Sequence, residues 1–329
     1  MLSQFLSDEE QVTFYPTYGY KENAHWKIPM RVWVHEPRGI AESLITKVVA
    51  GVGDLDEKGR NNFRARIADL VADDESGETV KLMFDADGER EEFRVQKENG
   101  EFPNSDSNGL IEGFIILSEA KAGHLIRAQN SEQGWLTFRA VSTEHTGMGR
   151  VRLLAPHGLS VISDIDDTIK VTGILKGVKT IVRNTFFEDF VAVPEMAKRY
   201  RQFDAAAFHY VSGGPWQLYR PLAEFLIHGA GGFPEGSFHM KSLRKNIFSM
   251  DTWEDLQELA GGDATFEQKM EQISTIMMRF PERKFVLIGD SGEKDPEIYR
   301  EIQMRFPQQV REICIRDLNR ERLQGITTI

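Results

Sequence analysis

The chain has 329 residues, 40% hydrophobic and 28% charged, with a formal net charge of −11. That length predicts two domains with substantial cores, and the composition excludes a disordered, collagen-like or fibrous chain. The acidic balance argues against non-specific nucleic-acid binding, which needs a basic footprint, and the single cysteine, Cys314, excludes an intramolecular disulfide and a cysteine-built zinc site. No run approaches the roughly 18 apolar residues of a membrane span. The stretch from Met1 to Gln11 carries neither the basic nor the apolar region of a secretory signal, so a cytoplasmic location is expected. Residues 1–160 hold 26 Asp+Glu against 18 Lys+Arg, whereas residues 161–329 hold 25 against 22. The less acidic second half is the expected host of an anionic substrate.

The first half reads mainly as strands. Short β-type runs occupy 28–35, 78–84, 92–96, 113–117, 125–128, 134–142 and 149–154. Asp85-Ala-Asp-Gly88 and Asp106-Ser-Asn-Gly109 are turn signals; the first lacks the remaining positions of a calcium loop. A helical interruption near 39–72 carries Leu44, Val48, Val49, Phe63, Ile67 and Leu70 at helical spacing. The pattern predicts a mainly β, sandwich-like domain over 1–155 with inserted helices.

After about Pro156 strands alternate with helices. Apolar runs at 159–163, 206–212, 237–240, 284–289 and 310–315 are separated by helical patterns from Pro215 to Ile227, 266–280 and 296–306. Alternation of this kind predicts an α/β domain over 156–329 with a doubly wound parallel sheet. Ligands of such sheets bind beyond the carboxyl ends of the strands. The first strand runs into Asp164-Ile-Asp-Asp-Thr168, the second into Ser212-Gly-Gly-Pro-Trp216, and the fourth into Gly289-Asp-Ser-Gly-Glu-Lys-Asp295. Singly, these read as a capping loop, a helix start and a turn. Together they gather carboxylates at one rim, where mutual repulsion calls for a hard cation such as Mg²⁺, which would also recruit phosphate oxygens. Cys314 reads as a buried strand thiol, and His209 and His239 as structural residues.

These segments resemble the haloacid dehalogenase superfamily, whose signature falls here on Asp164, Asp166 and Thr168, then Ser212, Lys269, Asp290 and Asp295. Within it, residues 155–320 look like the actin-patch-associated phosphatidate phosphatase family. The resemblance is carried by Ser163 to Ile169, Arg183-Asn-Thr-Phe186, Tyr210-Val-Ser212 with Pro215-Trp216, Phe285 to Gly292, and Asp295-Pro-Glu-Ile-Tyr299. Phe14 to Gly19 and Trp33 to Pro37 look like bacterial members. Gly213-Gly214 replaces the small polar pair usual before Pro-Trp.

The resemblance implies a haloacid-dehalogenase-like Rossmannoid fold and a Mg²⁺-dependent phosphomonoester phosphatase, acting on phosphatidate or a related lipid phosphate. Asp164 would be the nucleophile, Asp166 the general acid and base, Ser212 a phosphoryl-oxygen donor and Lys269 the charge-balancing lysine, with Lys241, Lys245 and Lys284 as rivals. Asp164, the backbone carbonyl of Asp166, and Asp290 would bind Mg²⁺, with Asp295 supporting the metal shell. The motifs define the reaction and not the leaving group, so a soluble phosphoprotein or metabolite stays open as substrate. A scaffold role, with the β-domain holding a protein partner, is the reading from another class. Residues 170–187 carry Lys176, Lys179 and Arg183 among apolar residues; a helix over 174–183 would make them an interfacial contact with a membrane.

Overall fold

The computed structural model describes residues 10–40, 46, 55–86, 88, 90–141, 147–242, 265–320 and 322–326. They form two compact units: the first comprises Met1–Gly39 with Val71–Ala155, the second Ile40–Leu70 with Pro156–Ile329. The boundary near residue 155 therefore coexists with an excursion, in which the helical segment predicted inside the β-domain joins the second unit.

The chain begins with β1 (Gln11–Phe14), β2 (Thr17–Glu22) and β3 (His25–Glu36). It next forms α1 (Glu57–Ile67), a helix of the second unit, and a single 3-10 turn over Ala68–Leu70. The first unit resumes with β4 (Asp73–Asp74), β5 (Lys81–Phe84), β6 (Phe93–Arg94), β7 (Leu110–Ser118), α2 (Glu119–Ala128), β8 (Trp135–Ala140) and β9 (Met148–Leu153). Among the described residues its strands pair in the order β1-β3-β2-β9-β8-β5-β6, with β4 and β7 also on β3. Alternation along β3 sends Trp26, Ile28, Met30, Val32 and Val34 into one core with Phe84 and Phe138. The strand expected at 125–128 is instead the end of α2. The hydroxyl of Ser118 accepts from the Lys121 N–H at 3.2 Å and caps that helix, and Ala122 and Leu125, three apart, bury one face. The apolar run was the inner stripe of a helix.

In the second unit come β10 (Leu159–Ser163), α3 (Val178–Phe186), α4 (Met196–Tyr200), β11 (Ala207–Pro215), α5 (Tyr219–Ala223), β12 (Gly236–Lys241), α6 (Thr265–Arg279), β13 (Lys284–Asp290), α7 (Asp295–Arg305), β14 (Val310–Asp317) and β15 (Arg322–Ile326). Among the described residues they build a mixed α/β unit on a six-stranded sheet ordered β12-β11-β10-β13-β14-β15. All pairs are parallel except the last, β14 with β15. The order reverses at β10: β11 and β12 lie on one side of it, β13 and β14 on the other. The rim crevice of such a sheet forms beside the reversal strand. Val161, Ile162, Val286, Leu287 and Ile288 are buried, as expected for strands covered on both faces.

The segment 174–183, which as one helix would have aligned its basic residues, is not a continuous helix. Gly173 and Gly177 have φ of +84° and +88°, a left-handed region that glycine enters without a Cβ clash. Ile174–Lys176 is a 3-10 turn, and α3 starts only at Val178. The helix expected from Pro215 to Ile227 begins with a 3-10 turn over Trp216–Leu218 and ends in a π turn over Glu224–His228. Leu44, Val48 and Val49 lie outside the described residues.

Helix α1 is held by aromatic packing. The ring of Phe63, fully buried, stacks on Phe187 with centroids 5.0 Å apart and meets Phe186 edge-on at 6.5 Å. The Arg66 guanidinium sits 3.7 Å over the Phe190 ring and donates to the Thr185 carbonyl at 3.0 Å. Replacing Phe63 with Ala is expected to cost about 3–5 kcal/mol through the cavity left behind. Urea denaturation reads the loss. Hydrogen exchange should place it in α3 and not in the first unit; unchanged protection in α3 would contradict this packing.

Candidate active site

Four segments meet at the carboxyl rim of the second sheet. The chain leaves β10 at Asp164, whose N–H donates to the Ile288 carbonyl of β13 at 2.9 Å. This bond ties the nucleophile candidate to the neighbouring strand. Ser212 lies in β11, which continues to Pro215, so the serine is a strand residue and not a helix cap. Asp290 ends β13, and Asp295 opens α7. Gly289 permits the closure of this corner, because a Cβ there would collide with the Asp295 carboxylate.

Lys269 arrives from α6. Ile273, Ile276 and Phe280 follow it at four-, seven- and eleven-residue spacing and are buried, so the helix turns the lysine inward on its apolar face. Its side chain is 1% exposed, and its Nζ donates to Asp164 Oδ1, Glu293 Oε2 and Asp295 Oδ1, each at 2.8 Å. One ammonium thus faces three carboxylates. Of its rivals, Lys284 is exposed at the start of β13 and donates to the Gln308 carbonyl at 2.5 Å, Lys241 ends β12, and Lys245 lies outside the described residues.

Ligand oxygens of Asp164, Asp290 and Asp295 lie within 4.8 Å of one another, and all three residues are buried. Asp295 is committed on both oxygens, to Lys269 and to the Asp290 N–H. Asp290 Oδ1 accepts from the N–H groups of Gly292 and Glu293. By contrast, Asp164 Oδ2 and Asp290 Oδ2 are buried without a hydrogen-bond partner. A buried carboxylate oxygen left bare is costly, and two in one acidic cluster are costlier. Burial pushes Asp164 well above the ordinary carboxylate range, against the pull of Lys269 and with the repulsion of Asp295, Glu293 and Asp290. Burial, then Asp295 and Glu293, pushes Asp290 up to about 8. A hard divalent cation held by this acidic cluster would relieve the penalty, so the donor set fits Mg²⁺.

The Asp166 side chain turns elsewhere. Its Oδ1 accepts from Thr172 Oγ1 at 2.6 Å and from Lys170 Nζ at 2.9 Å, and its Oδ2 accepts from Ser212 Oγ at 3.3 Å. Burial alone would raise it, but Lys170 and the Thr172 hydroxyl hold it below the ordinary range. Asp167, at φ +51°, accepts from the N–H groups of Thr172, Gly173 and Ile174 and folds the following turn back onto the loop. The Arg316 guanidinium donates to the Asp167 carbonyl from β14.

Sequence reasoning missed Lys170, Thr172, Asp167 and Glu293 as parts of the site. Glu293 stood inside a quoted motif, but nothing in its spacing marks it as a lysine partner. Lys170 comes back beside Asp166 through a tight turn, its N–H donating to the Ile165 carbonyl and its carbonyl accepting from the Asp167 N–H. Cys314 is buried, and burial pushes its thiol up to about 12. His209 lies between Ser237 and Ser160 in a buried chain of hydrogen bonds.

Residues 159–317 match the family model of the catalytic domain of phosphatidate phosphatase APP1. Phosphatidate phosphatase APP1 of Saccharomyces cerevisiae is 33% identical over 168 residues, covering 50% of this chain and 26% of the yeast protein. An uncharacterized protein of Schizosaccharomyces pombe is 26% identical over 223 residues, covering 63% of this chain and 34% of its own length. The chain thus spans about a third or less of the curated relatives it matches. A solved β-glucuronidase from Ruminococcus gnavus aligns at a TM-score of 0.22 and 8% identity over 93% of this chain and 43% of that one, too slight a likeness to bear on the fold. The segment that carries every residue of the acidic rim, 159–317, is thus the part of the chain that matches the phosphatidate phosphatase APP1 catalytic-domain family model.

Proposed function

We propose that this chain is a Mg²⁺-dependent phosphomonoester phosphatase of the haloacid dehalogenase type, acting through an aspartyl-phosphate on phosphatidate or a related lipid phosphate. The observation that carries the reading is the pair of bare, buried oxygens on Asp164 and Asp290 beside Lys269. They lie in a segment whose yeast relative is named a phosphatidate phosphatase.

Asp164 and Asp290 would hold the cation, with Asp295 orienting Lys269 and the Asp290 backbone. The metal, when bound, supplies positive charge that neutralises the phosphate oxygens. The Asp164 carboxylate attacks phosphorus as the bond to the alcohol oxygen breaks, and Asp166 protonates the departing alkoxide. Asp166 then takes a proton from the water that hydrolyses the aspartyl-phosphate. Lys269 offsets charge on Asp164 through both half-reactions. In the resting arrangement Lys170 and Thr172 keep Asp166 ionised, which suits the base step. The acid step requires the proton to arrive on Asp166 with the substrate. Ser212 makes the longest of the three contacts to Asp166. Its hydroxyl can turn to a phosphoryl oxygen and so release Asp166 Oδ2 for that proton.

Three outcomes follow. Asp164→Asn should abolish phosphate release while the protein stays folded, since Lys269 keeps Glu293 and Asp295; Asp166→Asn should lose about 10²–10⁴-fold in turnover. Near-wild-type rates in either variant would refute the mechanism. Mg²⁺ should raise the melting temperature of the wild-type chain and EDTA should reverse it, with the shift abolished in Asp290→Asn; an equal shift in the variant would place the cation elsewhere. Lys269→Met leaves the buried Asp164 and Asp295 and the half-buried Glu293 without their ammonium partner and should cost about 3–5 kcal/mol in stability as well as activity, read by urea denaturation without metal.

A further inference from the structure

Residues 170–187 hold four basic residues and no acidic one in a chain of net charge −11. Two of the four are neutralised: Lys170 by Asp166 at 2.9 Å and Arg183 by Glu188 at 2.6 Å. Lys176 and Lys179 are exposed, and among the described residues no carboxylate pairs with either. Between and beside them stand Leu175, 57% exposed, and Val178, 37% exposed. Five consecutive residues thus present two bare apolar side chains and two free ammonium groups.

The inward face of this segment is already satisfied. Val182 and Phe186 of α3 are buried, and Phe186 meets Phe63. Leu175 and Val178 stand outside that packing on either side of Gly177, where the 3-10 turn begun at Gly173 ends and α3 starts. The turn is nonetheless fixed to the catalytic loop. The Gly173 and Ile174 N–H groups donate to the Asp167 carboxylate at 2.8 and 2.6 Å, and Asn184 Nδ2 donates to the Thr172 carbonyl at 2.9 Å. Ile174 packs beside Gly292, two residues past Asp290. An isolated exposed Leu means little. An exposed Leu and Val interleaved with unpaired lysines, anchored to a loop that would attack a phosphate monoester, match the chemistry of an anionic bilayer surface. The apolar groups suit the acyl boundary, and the ammonium groups suit head-group phosphates.

We propose that Leu175–Lys179 is an interfacial contact that docks the catalytic unit on an anionic lipid surface and places head groups at Asp164. The inference rests on the lipid-phosphate reading above. The test is sedimentation of the full chain with phosphatidylcholine vesicles, with and without phosphatidylglycerol, alongside turnover of phosphatidate in such vesicles and of p-nitrophenyl phosphate in solution. Wild type should bind the anionic vesicles and not the neutral ones. The double variant Lys176→Glu/Lys179→Glu should bind at least about thirtyfold more weakly, and Leu175→Ser/Val178→Ser about tenfold more weakly. Both should lose vesicle turnover in proportion and keep their rate on the soluble ester. No wild-type binding, unchanged binding in the variants, or equal losses on both substrates would overturn the proposal. Variant-sensitive binding without any hydrolysis of phosphatidate would leave the docking surface standing and refute the lipid-phosphatase reading instead.

Discussion

The site is organised around a charge imbalance. One buried ammonium, Lys269, faces Asp164, Glu293 and Asp295 at 2.8 Å, and Asp290 adds a fourth carboxylate beside them. Such a cluster cannot persist fully ionised in a low-dielectric rim without further positive charge. Lys269 keeps its own proton firmly: burial works against it, but Asp164, Asp295 and Glu293 hold its pKa well above the ordinary lysine value. The remaining deficit falls on the two bare oxygens of Asp164 and Asp290. Under the proposed function, a hard divalent cation together with the phosphate it draws in would relieve this imbalance.

The fold creates this imbalance by topology. The sheet order reverses at β10, so the ends of β10, β11 and β13 open side by side although they are far apart in sequence. Asp164, Ser212 and Asp290 enter from those three strands, and α6 delivers Lys269 from an apolar face. Backbone bonds then fix the corner: Asp164 to Ile288, Asp290 to the Asp295 carboxylate, and the turn over 172–174 to Asp167. The helix α1, contributed from far upstream, braces α3 through Phe63 and so supports the segment that leads away from the Asp164–Thr168 loop.

Much of this was legible because strand ends in an alternating β/α pattern predict where polar residues converge. Asp164, Asp290 and Asp295 could be grouped from spacing and chemistry, and the parallel sheet from the alternation. Lys269 could be named only through the family resemblance, since a helix lysine among apolar residues reads equally as solvated; its burial is a tertiary fact. Lys170 and Glu293 were hidden for a similar reason, because their partners are set by how two loops fold rather than by periodicity. The false strand at 125–128 arose from three apolar residues whose helical context depends on the Ser118 cap. The break in the helix after Ile174 was legible in Gly173 and Gly177, whose left-handed backbone overrides the apolar spacing.

The proposed reaction centres on a covalent bond between Asp164 and phosphorus. The most direct measurement is chemical trapping of that bond. The full chain would be mixed with phosphatidate in detergent micelles and Mg²⁺, quenched in acid, reduced with borohydride and read by peptide mass spectrometry. Reduction of an aspartyl-phosphate converts the residue to homoserine, and the proposed mechanism requires that conversion at position 164 alone, dependent on both substrate and Mg²⁺. Steady hydrolysis with Asp164 recovered unmodified under the same quench would contradict it.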